Sequence, residues 1–226
     1  MVFADLASRI AEVRGRIQEA VKRGGHNQEV TIIAVTKTHG PEAVKAAWDA
    51  GIHNVGENKV QEALGKMHSG DVPVRWHLIG HLQRNKVKAL EHFTMLHSLD
   101  SSRLADAVCK YAIDSGRARD ALLEMNLSGE ESKGGFREGD LRAEAERLAT
   151  LPGIRLRGVM TMANFTAGEA ELHRTFGAAR AALAVLREAG HPADELSMGM
   201  SNDYEIAVEE GATMVRLGTT LFGARE

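Results

Sequence analysis

Apolar positions recur along this chain in two alternating rhythms. Leu6, Ile10, Val13, Ile17 and Val21 fall at three- and four-residue steps, which predicts an amphipathic helix over 4–23, stopped by Gly24-Gly25. The next apolar run, Val30-Thr-Ile-Ile-Ala-Val-Thr36, lacks polar alternation and predicts a strand buried on both faces. The two patterns then alternate along the chain. Helix 41–50 opens at Pro41 and closes at Gly51, strand 52–58 leads to helix 59–69, and strand 76–80 to helix 82–91. Strand 95–99 is followed by Asp100 and Ser101, which suit the N-cap of a helix running through Ser115. Strand 121–127, a polar Gly-rich loop over 128–139 and helix 139–150 come next. Strand 156–162, helix 168–189, strand 195–199, helix 203–210 capped by Ser201-Asn-Asp203, and strand 213–218 complete the series.

Eight strands alternating with helices imply parallel strands joined by crossover helices. Eight such units in 226 residues fit an α/β chain folded as a closed (β/α)8 TIM barrel with an extra N-terminal helix. A doubly wound open sheet would show the same alternation. The Gly-x-Gly-x-x-Gly of dinucleotide sites and the Walker A loop are both missing. No Pro-, Ser- or charge-rich linker interrupts the pattern, so residues 1–226 are expected to form a single domain.

Composition narrows the class. Hydrophobic residues make up 43% but aromatics only 4%, so the core must be aliphatic. A net charge of −3 argues against nucleic acid or a membrane surface as the main partner. Cys109 is the only cysteine, which excludes an internal disulfide and the cysteine pairs of zinc sites. Residues 1–23 read as a helix rather than a leader, and no apolar run approaches the ~20 residues of a membrane span. The expectation is a cytoplasmic globular protein.

In such a barrel the reacting groups gather at the carboxyl ends of the strands. Those ends read Lys37, Asn58, His81, Asp100, Asn126, Met162, Ser201 and Arg216. A lysine held among apolar neighbours loses hydration, which favours its neutral, nucleophilic amine; a strand-end lysine can also simply reach into water. The last two strand-end loops, Leu196-Ser-Met-Gly-Met-Ser201 and Arg216-Leu-Gly-Thr-Thr-Leu-Phe-Gly223, each carry a glycine, hydroxyls and a following helix start. That combination suits a phosphate, although each loop alone is also an ordinary turn and cap. An amine for an aldehyde beside a cradle for a phosphate matches pyridoxal phosphate.

Several blocks are also recognisable. Ala34-Val-Thr-Lys37-Thr, Val55-Gly-Glu-Asn58-Lys-Val-Gln-Glu62, Trp76-His-Leu-Ile-Gly80-His-Leu-Gln-Arg-Asn-Lys86, His97-Ser-Leu-Asp100, Leu196–Ser201 and Met214–Arg225 together resemble the pyridoxal phosphate homeostasis protein family, in that family's order and over nearly the whole chain. The resemblance implies a fold-type III, alanine racemase N-terminal-like barrel. It implies pyridoxal 5'-phosphate as an aldimine on Lys37, with Ser201, Gly218 and Thr219 on the phosphate, Arg216 against the pyridine nitrogen and Asn58 beside the cofactor. His39-Gly40 and Asn164-Phe165 depart from the family pattern, both on the expected rim.

The implied function is intracellular homeostasis of the cofactor: storage, buffering or delivery by a monomer, with pyridoxal phosphate-dependent apoenzymes as recipients and no catalytic turnover. The alternative is a racemase-like enzyme. Racemases sharing this barrel add a β-domain and a tyrosine base, whereas this chain runs to Glu226 with only Tyr111 and Tyr204, both in predicted helices. A Schiff-base aldolase is a more distant third. His77, His81 and His97 lack helical metal-ligand spacing and read as structural or rim residues. Glu57 and Asp100 read as salt-bridge and capping residues before an acid–base pair. Cys109 is expected to be packed, and Ser128–Phe136, with Lys133, could close over the mouth.

Overall fold

The computed structural model describes residues 3–70, 72–129 and 134–223. Helix α1 (Leu6–Gly24) buries Leu6, Ile10, Val13, Ile17 and Ala20, the face set by the apolar spacing. Gly25 ends it in the left-handed conformation at φ 70°, its N–H donating to the carbonyl of Val21. The barrel begins with β1 (Thr31–Val35), α2 (Pro41–Asp49), β2 (Asn54–Glu57), α3 (Val60–Ser69) and β3 (Arg75–Leu78). A 3-10 helix over Arg84–His92, β4 (Met95–Leu99), α4 (Ser102–Asp114) and β5 (Arg119–Glu124) follow. Then come α5 (Leu141–Ala149), β6 (Ile154–Met160), α6 (Glu169–Glu188), β7 (Glu195–Ser197), α7 (Tyr204–Glu209), β8 (Met214–Leu217) and the single turn α8 (Thr219–Phe222).

The eight strands form one closed parallel barrel in sequence order, which excludes the open sheet. Closure is made by β1 and β8, with Ile33 opposite Arg216 and Ala34 opposite Leu217. Ladder register shifts occur between Leu96 and Leu99 and between Ala121 and Leu122. The expected helix over 82–91 is a 3-10 helix that buries only Leu90, so little packing holds it to α geometry. Ser101, rather than Asp100, caps α4, accepting from the Leu104 amide.

Strand alternation sorts the core into two layers. Ile32, Ala34, Val55, Leu96, Leu123, Leu196 and Val215 face the helices and join the large outer cluster with α1 and α2. Ile33, Met95, Leu122, Met160 and Met214 form a separate inner plug. Cys109 is packed in the outer layer. Helix α1 lies against α7, where Arg16 pairs with Glu205 and Arg23 with Glu209. The rings of Phe3, His39 and Phe222 pack against one another, which ties together residues near both ends of the described chain.

Candidate functional site

Above the inner plug the barrel opens into a cavity of about 880 Å3 to which all eight strand ends contribute. Lys37, Asn58, His81, Asp100, Met162, Ser201 and Arg216 all line it, as do Gly218 and Thr219. Asn126 does not, because β5 ends at Glu124 and places that carboxylate on the wall instead. Phe165 stands on the rim, 81% exposed. Of the 128–136 loop, Gly134 lines the cavity, while Lys133 falls outside the described residues. A second cavity of about 700 Å3 lies at the opposite end, beside Thr31, Asn54 and Arg75, and contains none of the predicted site residues.

Arg216 projects inward from β8 and is 5% exposed. It donates to the carbonyl of Ser197 at 2.7 Å, to the Ser197 hydroxyl at 2.6 Å and to the carbonyl of Thr161 at 2.9 Å. Burial lowers its pKa to about 10, opposed by Asp203 and Glu124, so it remains a cation at neutral pH. Below it a buried polar chain crosses the barrel. Ser197 Oγ lies 2.9 Å from His97 Nδ1, His97 Nε2 lies 2.9 Å from His77 Nδ1, and His77 Nε2 lies 3.1 Å from Asn54 Oδ1.

The direction of this chain follows from its last member. The Asn54 oxygen can only accept, so His77 donates to it from Nε2, while at the other end Ser197 accepts from Arg216 and donates its own proton to His97. Each ring then accepts at Nδ1 and donates from Nε2, ending on the Asn54 oxygen. Both rings are neutral: burial, then the Arg75 charge, lowers the pKa of His77 to about 4, and burial, then His77 and Arg216, holds His97 well below the usual histidine range. These two histidines are therefore interior residues, not rim residues. His81 is the one at the rim, its Nδ1 2.6 Å from Asp100. Among the described residues no group of three His, Cys, Asp or Glu side chains could hold a metal.

Glu124 also lines the cavity, although the sequence does not place it at a strand end. Its carboxyl faces the cavity, and burial together with the Asp100 charge raises its pKa to about 7, against the opposing pull of Arg216 and His81. Glu57, in contrast, points away from the mouth. Its neighbour is Lys66, so it forms no pair with Asp100.

The two glycine loops meet at the mouth. Gly199, at φ 91°, needs to be glycine because a Cβ there would stand 2.7 Å from that of Ala207. Gly218 is different: its φ is not positive, and a Cβ would meet the protein only at 3.4 Å or beyond. The bare spot on the wall is thus not demanded by the chain's own packing. The Ser201 hydroxyl accepts from the Thr220 amide at 3.2 Å, joining the loops after β7 and β8.

Comparison with known proteins follows the same lines. The family "Alanine racemase, N-terminal domain" matches residues 9–226. The pyridoxal phosphate homeostasis protein of Pseudomonas aeruginosa is 42% identical over 99% of this chain and 97% of its own length. This chain belongs to the pyridoxal phosphate homeostasis protein family. PipY of Synechococcus elongatus, a family relative solved with pyridoxal phosphate bound, is 37% identical and superposes with a TM-score of 0.84, covering 96% of this chain and 100% of that one. Alanine racemase of Corynebacterium glutamicum, at 16% identity and a TM-score of 0.75, covers 99% of this chain and 62% of its own, and shows the family's kinship in fold alone.

Proposed function

We propose that this protein binds pyridoxal 5'-phosphate in the cavity at the barrel mouth, covalently through Lys37, and holds it for other proteins rather than using it for turnover. The observation that carries this reading is the convergence on one cavity of Lys37 from β1 with Ser201, Arg216, Gly218 and Thr219 from β7 and β8. The residues suit the group. Lys37 supplies an amine for its aldehyde, and Asn58 lies between Lys37 and His81 along the wall. Gly218 leaves space beside the Ser201 and Thr219 hydroxyls for a phosphate held largely by backbone N–H groups. When bound, the cofactor supplies a reactive carbonyl and an electron-withdrawing ring.

Arg216 argues for holding over chemistry. As a donor only, it keeps the atom against it unprotonated, and a pyridine nitrogen so held withdraws electrons weakly. Neither tyrosine lines the cavity: Tyr111 lies under Arg119, and Tyr204 is 3% exposed within α7. On this reading the protein acts as a single-barrel monomer in the cytoplasm and passes the cofactor to apoenzymes. It is consistent with the net charge of −3 and with the lack, among the described residues, of any helix long and apolar enough to cross a membrane. Amino-acid racemisation is the second reading, and Glu124 is the observation in its favour, a carboxyl titrating near neutrality in the same cavity as Lys37.

Borohydride reduction after incubation with the cofactor, followed by peptide mapping, tests the first reading. Label on Lys37 is expected, and label on another lysine or on none refutes it. Exchange of amino-acid α-protons in deuterated water separates holding from turnover. Exchange at ~1 s⁻¹ or faster, abolished by Lys37→Ala, makes the protein an enzyme.

A further inference from the structure

Behind the cavity wall, on the side facing α3, lies a buried charge cluster that the cofactor reading does not use. Thr36 and Glu57, each one residue before a mouth residue, point outward to Lys66 of α3. Glu57 is fully buried and Lys66 is 7% exposed. Lys66 Nζ donates to Glu57 Oε1 at 2.5 Å, to the Thr36 carbonyl at 2.7 Å and to Glu62 Oε1 at 3.0 Å. The Thr36 hydroxyl donates to the same Glu57 oxygen at 2.6 Å, and Glu62 Oε1 also accepts the Thr38 amide at 2.6 Å.

Two of these bonds flank Lys37. The Thr36 carbonyl belongs to the peptide plane entering Lys37, and the Thr38 amide to the plane leaving it. A backbone is defined at a residue by the two peptide planes that meet at its Cα. Holding both planes therefore fixes the direction in which the Lys37 side chain leaves the strand end. The arrangement is costly. Glu57 Oε2 is buried without a partner, and Thr38 takes φ 70°, a left-handed conformation that β-branched residues rarely adopt. Buried ion pairs can often be replaced by apolar residues without loss of stability, and strain of this kind clusters at functional positions. All three N–H bonds of Lys66 are engaged by these acceptors, which leaves the ammonium no role as a second nucleophile.

We propose that Glu57, Lys66 and Glu62 are positioning residues that clamp the two peptide planes at Lys37 and aim its neutral amine across the mouth at a carbonyl ligand, so that a C=N bond replaces the C=O bond and the oxygen leaves with the two amine protons as water. This inference rests on the reading that Lys37 captures pyridoxal phosphate. The clamp acts on the amine and not on the phosphate cradle, so its loss slows covalent capture and leaves phosphate recognition intact.

Glu62→Leu is the main test, because it removes the acceptor for the Thr38 amide while leaving the buried Lys66–Glu57 pair in place. Lys66→Met is the stronger break, and Glu62→Gln retains an acceptor and should rescue. Borohydride-fixed label on Lys37 is followed against time in each variant. Affinity for pyridoxine 5'-phosphate, which has the phosphate and ring but no aldehyde, is measured alongside. Misaiming a reacting group by about 1 Å costs up to about a hundredfold in rate, so Glu62→Leu should slow labelling by about tenfold or more with pyridoxine phosphate affinity unchanged. Labelling at the wild-type rate overturns the clamp, and so does a proportional loss of pyridoxine phosphate binding, which would mark a general structural role. Reductive alkylation of Lys37 by a small aldehyde gives a readout without the cofactor. If wild-type Lys37 takes up no cofactor yet its alkylation still falls in Glu62→Leu, the cofactor reading fails and the clamp stands. If alkylation is also unchanged, the clamp fails.

Discussion

Replacing Glu124 with glutamine should make the unliganded protein more stable at high pH and leave it unchanged at low pH. The glutamine copies the protonated carboxyl and cannot ionise. In the native state burial, Asp100, Arg216 and His81 together move this carboxyl from 4.5 to about 7. Below pH 4.5 it is largely protonated both folded and unfolded, so ionisation costs the native state little. As pH rises, the unfolded chain ionises first and gains relative to the native protein. The difference is complete once the native group has also ionised, above about pH 7. At about 1.4 kcal/mol per pH unit, the full penalty is about 3 kcal/mol, reduced somewhat by solvent in the cavity. Urea unfolding of the wild type and Glu124→Gln at pH 4.5 and pH 8 measures it. A gap below about 0.5 kcal/mol at the lower pH and of about 2–3 kcal/mol at the higher is expected. An equal gap at both values would mean that packing, not charge, distinguishes the variants. A less stable glutamine at pH 8 would mean that the carboxylate is favourably paired and the assignment wrong.

Further expectations concern the cradle and the polar chain. If Ser201 and Thr219 donate to the phosphate as proposed, Ser201→Ala and Thr219→Ala each remove a hydrogen bond to a charged acceptor, worth about 1.5–3 kcal/mol, and should weaken pyridoxal phosphate binding about ten- to a hundredfold by equilibrium titration. Gly218→Ala should lose affinity while its urea midpoint stays put, since a Cβ there meets the protein only at ordinary contact distances; a shifted midpoint would show that the glycine serves the fold. His97→Leu strands the Ser197 hydroxyl and the His77 ring, so unfolding free energy should fall by about 1–3 kcal/mol per orphaned group, against no change if the chain is ornamental.

Hydrophobic patterning made the barrel legible because its two periods are unambiguous where strands are buried on both faces. Val30–Thr36 and Met95–Leu99 were placed within a residue or not displaced at all. The errors arose where the pattern thins. The apolar run to residue 127 predicts Asn126 at the end of β5, but the strand ends at Glu124, which alternation from Leu122 turns inward. The helix expected over 82–91 is a 3-10 helix over Arg84–His92, because too few of its residues are buried to enforce α geometry. His77 and His97, expected in structural or rim roles, take the structural one. Their partners, Ser197 and Asn54, lie far away in sequence and no local signal joins them. The clamp at Glu57 and Lys66 was equally hidden, since a nine-residue spacing between strand and helix has no periodic signature.

The seam between β1 and β8 has a consequence for biosynthesis. Lys37 leaves the ribosome early, while Arg216, Gly218 and Thr219 leave it about 180 residues later, yet the register sets their strands side by side. On the proposed reading, a nascent chain carries the reactive amine long before it has anywhere to lodge a phosphate. Only when the final strand zips against the first does the pocket exist, and a ligand touching both strands then fastens the seam like a clasp. Occupancy therefore reports on completed synthesis, and each bound molecule adds RT ln(1 + [L]/Kd) to the hold on the folded chain. In a cell replete with the cofactor, newly made barrels would close and stay closed, whereas in starvation the same seam would lose that clasp.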